Sequence, residues 1–368
     1  MNYLAALLLK LNSISLYQFK NYPFRNFRFT GKVVGIYGLN GRGKTNLLDA
    51  IYYSCFTRGY FNRSDTQNVL NGAQGFRIEA MFELNGHEHT VTSVLRENGK
   101  KEISLDGELY DKMSAHIGKF PCVFIAPDDI YIITEASEER RRLIDAILSQ
   151  TDFNYLYSLI DYNKVLQQRN SYLKSMDGRR IDHGLMDVYD QQLIQPGQYI
   201  YNTRKNFLHQ FIPTVKKYYA QIAGAEEGVD LQYKSQLHEN AFEVLLKSTR
   251  EKDMFLQRTS AGIHRDDLEL ILGEKAFKSQ ASQGQRKSLL FALKLAEFDM
   301  LRYSKGFAPI IMLDDVFEKL DAERMHNLLA HICLQDDVQL FFTDTHGEII
   351  QAQIEKIGVT CPPIEIAA

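Results

Sequence analysis

Tryptophan is absent from this chain, while tyrosine (20) and phenylalanine (22) are plentiful, a balance that singles out no specialised aromatic site. Cysteine is scarce: Cys55, Cys122, Cys333 and Cys361 lie far apart and form no Cys-x-x-Cys pair. That excludes a disulfide framework and a zinc site, and it suits a reducing compartment where all four act as small buried hydrophobes. Long apolar runs are missing too. The stretch 4–9 is apolar but short, with no basic start and no small-residue cleavage pattern, and nothing else approaches the roughly 20 residues that span a bilayer. A soluble, cytoplasmic protein without a membrane partner is expected. Finally, charge of one sign is not in excess. Lys and Arg total 43 against 46 Asp and Glu, a formal net charge of -3, so any contact with nucleic acid must come from a local patch.

What is there is ordinary globular material: 368 residues, 45% hydrophobic and 24% charged, enough for two domains or for one large domain with an insertion. The first third reads as strands and turns. Alternation predicts a strand over 12–19, a short apolar run predicts a buried strand over 33–37, and 76–84 with 88–96 flank Asn85-Gly86 as a hairpin. Asp106-Gly107 marks another turn. From Ser137 the period becomes helical, with helices over 138–150 and 155–172 and a mostly helical stretch over 186–223 broken at Pro196-Gly197 and at Pro213. Strands return after about Thr259, at 268–272, 310–313 and 338–343, with a long helix over 286–302 between them. Two separated α/β segments share one sheet only if the middle is looped out. The predicted domains are therefore 1–148 with 255–368, and an inserted, mostly helical lobe over 149–254.

The run Gly38-Leu39-Asn40-Gly41-Arg42-Gly43-Lys44-Thr45 fits G-x-x-x-x-G-K-[ST] and lies between a strand and a helix over 46–55. Its glycines let the loop curl so that backbone N–H groups point at phosphate oxygens, and the helix start adds partial positive charge. Lys44 reaches the β/γ-phosphates in such a loop, and the Thr45 hydroxyl ligates Mg²⁺. Much later, the apolar strand at 309–313 ends in Asp314-Asp315. Acids at the carboxyl edge of a strand lie beside the phosphate loop in such sheets, which makes Asp314 the Mg²⁺ partner and Asp315 the candidate for polarising the attacking water. Alone, the pair is no more than a turn after a strand; the phosphate loop gives it meaning. Ser282-Gln283-Gly284-Gln285 opens the long helix and reads either as a simple N-cap or as a second anion cradle, similar to the ABC signature.

Together these residues resemble the RecF family, in the SMC-like branch of ABC ATPases. The stretch 11–22 is similar to that family's start, with Lys20 where Arg is typical. Segments 126–145, Leu166-Gln167-Gln168-Arg169-Asn170, His264-Arg265-Asp266-Asp267 and 313–317 match further motifs in order. The resemblance implies an α/β fold, an ABC-type P-loop ATPase head with the inserted lobe. It also implies an ATP-dependent homodimer in which Lys44 and Thr45 of one copy and Ser282 and Gly284 of the other grip each ATP. In such a clamp on double-stranded DNA near single-strand/double-strand junctions, slow hydrolysis is the release step. RecR, with RecO, would be the partners in loading RecA, in replication, recombination, repair of DNA damage and the SOS response.

Some positions depart from the pattern. Residues 1–9 precede the usual start and receive no role. No Gln stands near Ala126, where ABC proteins carry their Q-loop, and Asp128 or Asp129 is the available substitute. The segment 318–321 retains only Leu320 and Asp321 of the D-loop, and His346 lies near the switch-histidine position. For DNA, Arg140, Arg141 and Arg142 head the candidates, although they could equally pair with Glu138 or Asp145. Lys100, Lys101, Arg179, Arg180, Lys216 and Lys217 follow, each also readable as solvated surface. His87 and His89 share a strand face with no third ligand in view. The competing readings are a transport ATPase subunit, against which the missing Gln and long insertion count, and an SMC-like nuclease or defence protein, for which the residues after the last strand are too few.

Overall fold

The computed structural model describes residues 9–62, 64–175, 182–315, 322–335, 337–344, 352 and 354–366. In chain order the first third runs β1 (Leu9–Phe19), β2 (Tyr22–Arg28), β3 (Val33–Tyr37), α1 (Lys44–Phe56), β4 (Phe76–Leu84), β5 (His87–Leu95), β6 (Lys101–Leu105), β7 (Glu108–Leu109) and β8 (Cys122–Ile125). The middle holds α2 (Tyr131–Thr134), α3 (Ser137–Thr151), α4 (Phe153–Ser175), α5 (His183–Ala223), β9 (Val229–Lys234), α6 (Phe242–Ser248) and α7 (Arg250–Leu256). The last third runs β10 (Asp267–Leu272), β11 (Lys275–Ala276), α8 (Phe277–Gln280), α9 (Gln283–Lys305), β12 (Ile310–Asp314), α10 (Ala322–Cys333), β13 (Leu340–Asp344) and β14 (Pro363–Glu365).

Packing divides the chain into two compact units, Met1–Asp129 with Gln221–Gly224 and Leu290–Ala368, and Ile130–Ala220 with Ala225–Leu289. The first unit contains two sheets. One is parallel, in the order β14-β3-β13-β12-β8, and joins strands from the first and last thirds of the chain, as the looped-out middle requires. The other is antiparallel, in the order β2-β1-β4-β5-β6-β7. Its hairpins turn at Asn85-Gly86 (φ 57° and 77°) and Asp106-Gly107 (φ 54° and 88°), pairs of left-handed residues that match the twist of two-residue turns. One hydrophobic cluster runs from Leu16 and Ile78 of this sheet through Leu47 and Ile51 of α1 to Ile36, Met312 and Phe341 of the parallel sheet. The helix that follows the phosphate loop is thus buried between two sheets. All four cysteines are buried, and none is in a disulfide.

The second unit gathers α3, α4, most of α5, α6 and α7 around the small sheet β11-β10-β9. Its interior is held by ions. Arg169 is fully buried and binds Asp190 (2.9 Å), Asp253 (2.8 Å) and the Thr259 hydroxyl (2.8 Å). Arg204 binds Asp145 (2.8 Å), Asp266 (3.0 Å) and the Ile263 carbonyl (2.8 Å). The Leu166–Asn170 and His264–Asp267 motifs therefore supply a buried ionic lattice. Asn170 Oδ1 accepts the Thr259 N–H, and His264 meets the Tyr162 hydroxyl at 2.8 Å.

Two sequence expectations change. The boundaries lie at 129/130 and 289/290 rather than 148/149 and 254/255, because Arg140 clamps Asp267 and Arg204 bridges Asp145 to Asp266, so 130–148 and 255–289 pack with the helical lobe. Strand β10 accordingly pairs with β9, not with the head sheets. And α5 is not broken: it runs through Pro196 and Pro213. Each proline deletes one donor and strains one turn, but packing outweighs that local loss. Gly197 is what the packing needs there, since a Cβ would come within 2.5 Å of the Phe242 ring. Among the described residues no helix is long and apolar enough to cross a membrane.

Candidate nucleotide-binding site

The phosphate loop leaves β3 and enters α1 through three glycines with φ of 151° (Gly38), 78° (Gly41) and 110° (Gly43), backbone that side chains strongly disfavour. Gly43 is the N-cap of α1. A Cβ there would meet Asn21 Nδ2 at 2.6 Å and the Tyr22 hydroxyl at 2.8 Å, because the β1–β2 turn is pressed against the loop. Tyr22 donates to the Gly43 carbonyl (2.9 Å), Asn21 Nδ2 donates to the Arg42 carbonyl (3.0 Å), and Asn46 Nδ2 donates to Asn21 Oδ1 (2.8 Å). Lys44 folds back over the loop, with Nζ donating to the Gly38 carbonyl at 2.8 Å and lying 3.4 Å from that of Leu39. Its side chain is buried, so its charge is concentrated where a phosphate would lie.

β12 delivers the acids to the same place. Thr45 Oγ1 donates to Asp314 Oδ1 at 3.0 Å, and Thr343 Oγ1, on the intervening strand β13, donates to the same oxygen at 2.8 Å. Burial pushes the Asp314 carboxyl up to about 6, against the pull of the two hydroxyl bonds. A buried carboxylate and a hydroxyl 3 Å apart are hard oxygen donors, and they fit Mg²⁺, which keeps several waters and takes few protein ligands. Asp315 adopts φ 44°, and its N–H donates to Thr343 Oγ1 at 2.9 Å. The structure thus brings Lys44, Thr45, Asp314 and Asp315 to one end of the parallel sheet.

Ser282, Gln283, Gly284 and Gln285 belong to the second unit. The Gln285 N–H donates to Ser282 Oγ (3.2 Å) and the Ser282 N–H donates to Gln285 Oε1 (2.9 Å), a reciprocal capping box that fixes the start of α9. Gln285 Nε2 also reaches Glu227 at 3.0 Å. Ser282 and Gln283 are exposed, leaving the helix N-terminus open to an anion.

The departures from the family pattern resolve in part. Lys20, in place of Arg, pairs with the buried Asp49 of α1. Asp129 is occupied: it accepts the Ala126 N–H (2.9 Å) and the Tyr60 hydroxyl, and lies 3.6 Å from Lys294. Asp128 is the exposed one of the two. His346, the D-loop segment 318–321 and Phe317 lie outside the described residues, as do Arg179 and Arg180.

The leading DNA candidates are engaged within the protein. Arg140 is buried and grips Asp267 with two nitrogens (2.7 and 3.0 Å) and the Ile132 and Glu135 carbonyls with a third. Arg141 binds the Ser137 hydroxyl and the Asp266 carbonyl, and Arg142 pairs with Glu138 and Glu139. Asp145 is taken by Arg204. Arg140 is a structural clamp, because a buried guanidinium with all three nitrogens engaged has little to offer a phosphate. Lys100 and Lys216 pair with Glu102 and Asp230 but stay largely exposed, and such pairs exchange readily. His89 lies 2.8 Å from Asp106.

Sequence reasoning missed Asn21, Tyr22 and Thr343. The first two flank Gly43 only through strand pairing, and a lone Thr in an apolar strand carries no local signal.

The fold and site are those of an ABC-type ATPase head of the SMC-like branch. The family model "RecF/RecN/SMC N terminal domain" matches residues 10–363. The DNA replication and repair protein RecF of Flavobacterium johnsoniae is 40% identical over 351 residues, covering 95% of this chain and 98% of that protein. The recombination mediator protein RecF of the RecFOR pathway, solved as RecF-ATPrS, superposes with a TM-score of 0.87 at 27% identity, covering 98% of this chain and 97% of that one. The Smc head domain from Pyrococcus furiosus superposes with a TM-score of 0.55 at 15% identity over 94% of this chain and 92% of that one, a likeness of fold. The chain belongs to the RecF family.

Proposed function

We propose that this protein is an ATP-operated clamp on double-stranded DNA near single-strand/double-strand junctions, working in cytoplasmic DNA replication and recombinational repair. The observation that carries the reading is the convergence of Lys44, Thr45 and Asp314 at a glycine-curled loop, in a chain that also presents a capped, exposed Ser282 at a helix start. The names of its relatives, RecF proteins of replication and repair and one solved as RecF-ATP, agree with it.

In this reading the loop 38–45 binds the triphosphate through backbone N–H groups, and Lys44 gives up its carbonyl partners for the β- and γ-phosphates. Thr45 and Asp314 would hold Mg²⁺, which would supply charge neutralisation to the triphosphate. Ser282, Gln283, Gly284 and Gln285 of a second copy cap the γ-phosphate, so ATP closes a homodimer and its loss opens it. Hydrolysis is slow: water, oriented by Asp315, attacks the γ-phosphorus, the bond to the bridging oxygen breaks, and ADP and phosphate leave with the proton released to solvent. The chain is thus a weak ATPase whose turnover resets a switch. DNA is held by phosphate contacts without base reading, with RecR and RecO as the partners through which RecA is loaded.

The test is a comparison of wild type with Ser282→Arg. Both bind an ATP analogue, but only wild type dimerises with ATP and retains duplex DNA. ATP-dependent dimerisation and DNA retention by Ser282→Arg at wild-type strength would refute the shared-site reading.

A further inference from the structure

Thr343 lies on β13, between the strand that leads into the phosphate loop and the strand that ends in the two acids. Its side chain is fully buried. Its hydroxyl acts in both directions, donating to Asp314 Oδ1 at 2.8 Å and accepting the Asp315 N–H at 2.9 Å. Asp315 has φ 44°, a left-handed conformation that a non-glycine residue keeps only when its surroundings hold it there. One hydroxyl oxygen can give and take a hydrogen bond at once; valine has nearly the same shape and can do neither.

We infer that Thr343 is a positioning residue for the nucleotide site, fixing the carboxylate of Asp314 and the backbone turn through Asp315 with a single oxygen. The inference rests on the nucleotide reading above. Among the described residues, both hydrogen bonds to the Asp314 carboxylate fall on Oδ1, from Thr45 and Thr343, so Oδ2 keeps its lone pairs for a cation. Without the Thr343 hydroxyl the carboxylate is held at one point and turns about its Cβ–Cγ bond. The Asp315 N–H, meanwhile, loses the acceptor that keeps its residue left-handed. Thr343 acts through the two acids rather than on the nucleotide itself. Partners of this kind behind a metal-binding group typically contribute 10–100-fold to metal affinity or activity, roughly the scale expected here.

The experiment uses full-length wild type, Thr343→Val and Thr343→Ser. A fluorescent ATP analogue is titrated in EDTA and at graded Mg²⁺, and steady-state hydrolysis is measured on the same proteins. For Thr343→Val the expected result is unchanged affinity in EDTA, an Mg²⁺ half-saturation raised about 10-fold, and kcat lowered about 10- to 100-fold with KM little changed. Thr343→Ser restores both, because it keeps the hydroxyl and loses only the methyl. Thr343→Val with wild-type Mg²⁺ dependence and kcat overturns the inference, and so does a Thr343→Ser as impaired as Val, which would mean that the methyl matters. If Thr343→Val fails to fold, Thr343→Ser decides alone: an Mg²⁺ half-saturation raised about 10-fold with kcat lowered overturns the inference, and wild-type values for both support it. Wild type that binds no ATP sinks the nucleotide reading and this inference with it; wild type that binds, beside an indistinguishable Thr343→Val, sinks the inference alone.

Discussion

Thr45 and Asp314, 269 positions apart in sequence, share a 3.0 Å hydrogen bond in which the hydroxyl donates to the carboxylate. The bond joins the start of α1 to the end of β12, and in the proposed function it marks where Mg²⁺ would bind. Asp314→Asn keeps the shape and removes the charge. The Mg²⁺ half-saturation of ATP binding should rise about 10- to 100-fold, while affinity in EDTA stays the same or improves. Isothermal titration at graded Mg²⁺ reads both.

Gly43→Ala places a Cβ within 2.6 Å of Asn21 Nδ2 on backbone with φ 110°. Strain of this kind costs about 1–3 kcal/mol. Lower thermal stability without nucleotide and weaker ATP binding are both expected, whereas Gly72→Ala (φ 86°, no neighbour within 4 Å of a Cβ) should leave ATP binding unchanged.

Arg169 is fully buried between Asp190 and Asp253, themselves buried. Arg169→Ala leaves the buried Asp253 without its cation and Asp190 with Arg250 alone, and should destabilise the protein by about 3–5 kcal/mol. Urea denaturation measures the loss. Arg140→Ala is likewise expected to lower stability, with any change in DNA affinity following from unfolding rather than from a lost phosphate contact.

Glu297, buried beside Lys294 and Asp129, has its carboxyl raised to about 7, chiefly by burial, with Lys294 opposing and Asp129 adding to the rise. Because the folded value lies above the unfolded one, the group's contribution is fully present below about pH 4.5 and is lost as pH climbs through about 7. Glu297→Gln removes that slope. Stability measured between pH 5 and pH 8 should therefore fall less steeply in the variant, by up to about 3 kcal/mol over the range. An unchanged slope would show that Glu297 does not titrate there.

Much of the head was legible because its signals are local. The apolar run at 33–37, the glycine loop and the Asn85-Gly86 turn each specify their own conformation, and β3, the curled loop and the β4–β5 hairpin stand where the pattern put them. What stayed hidden depends on distant partners. The helix through Pro196 and Pro213 survives because packing outweighs two missing donors. The Arg140–Arg142 run looks like a basic patch until Asp267, Ser137, Glu138 and Glu139 are seen to occupy it. Thr343 gains its meaning only from strand order, which sets β13 between β3 and β12. Ser282 drew attention because a Ser and a Gly at a helix start are a local signal, but the phosphate it serves in the proposed function lies on another copy.

The most direct measurement is sedimentation of wild type and Lys44→Met with no nucleotide, ADP or ATP, each with and without duplex DNA, at two salt concentrations. Wild type with ATP alone should sediment as a dimer and carry DNA, with DNA binding weakening steeply as salt rises. Lys44→Met should stay monomeric and release DNA throughout. A wild-type dimer that forms equally well without ATP, or DNA retention indifferent to Lys44, would contradict the clamp.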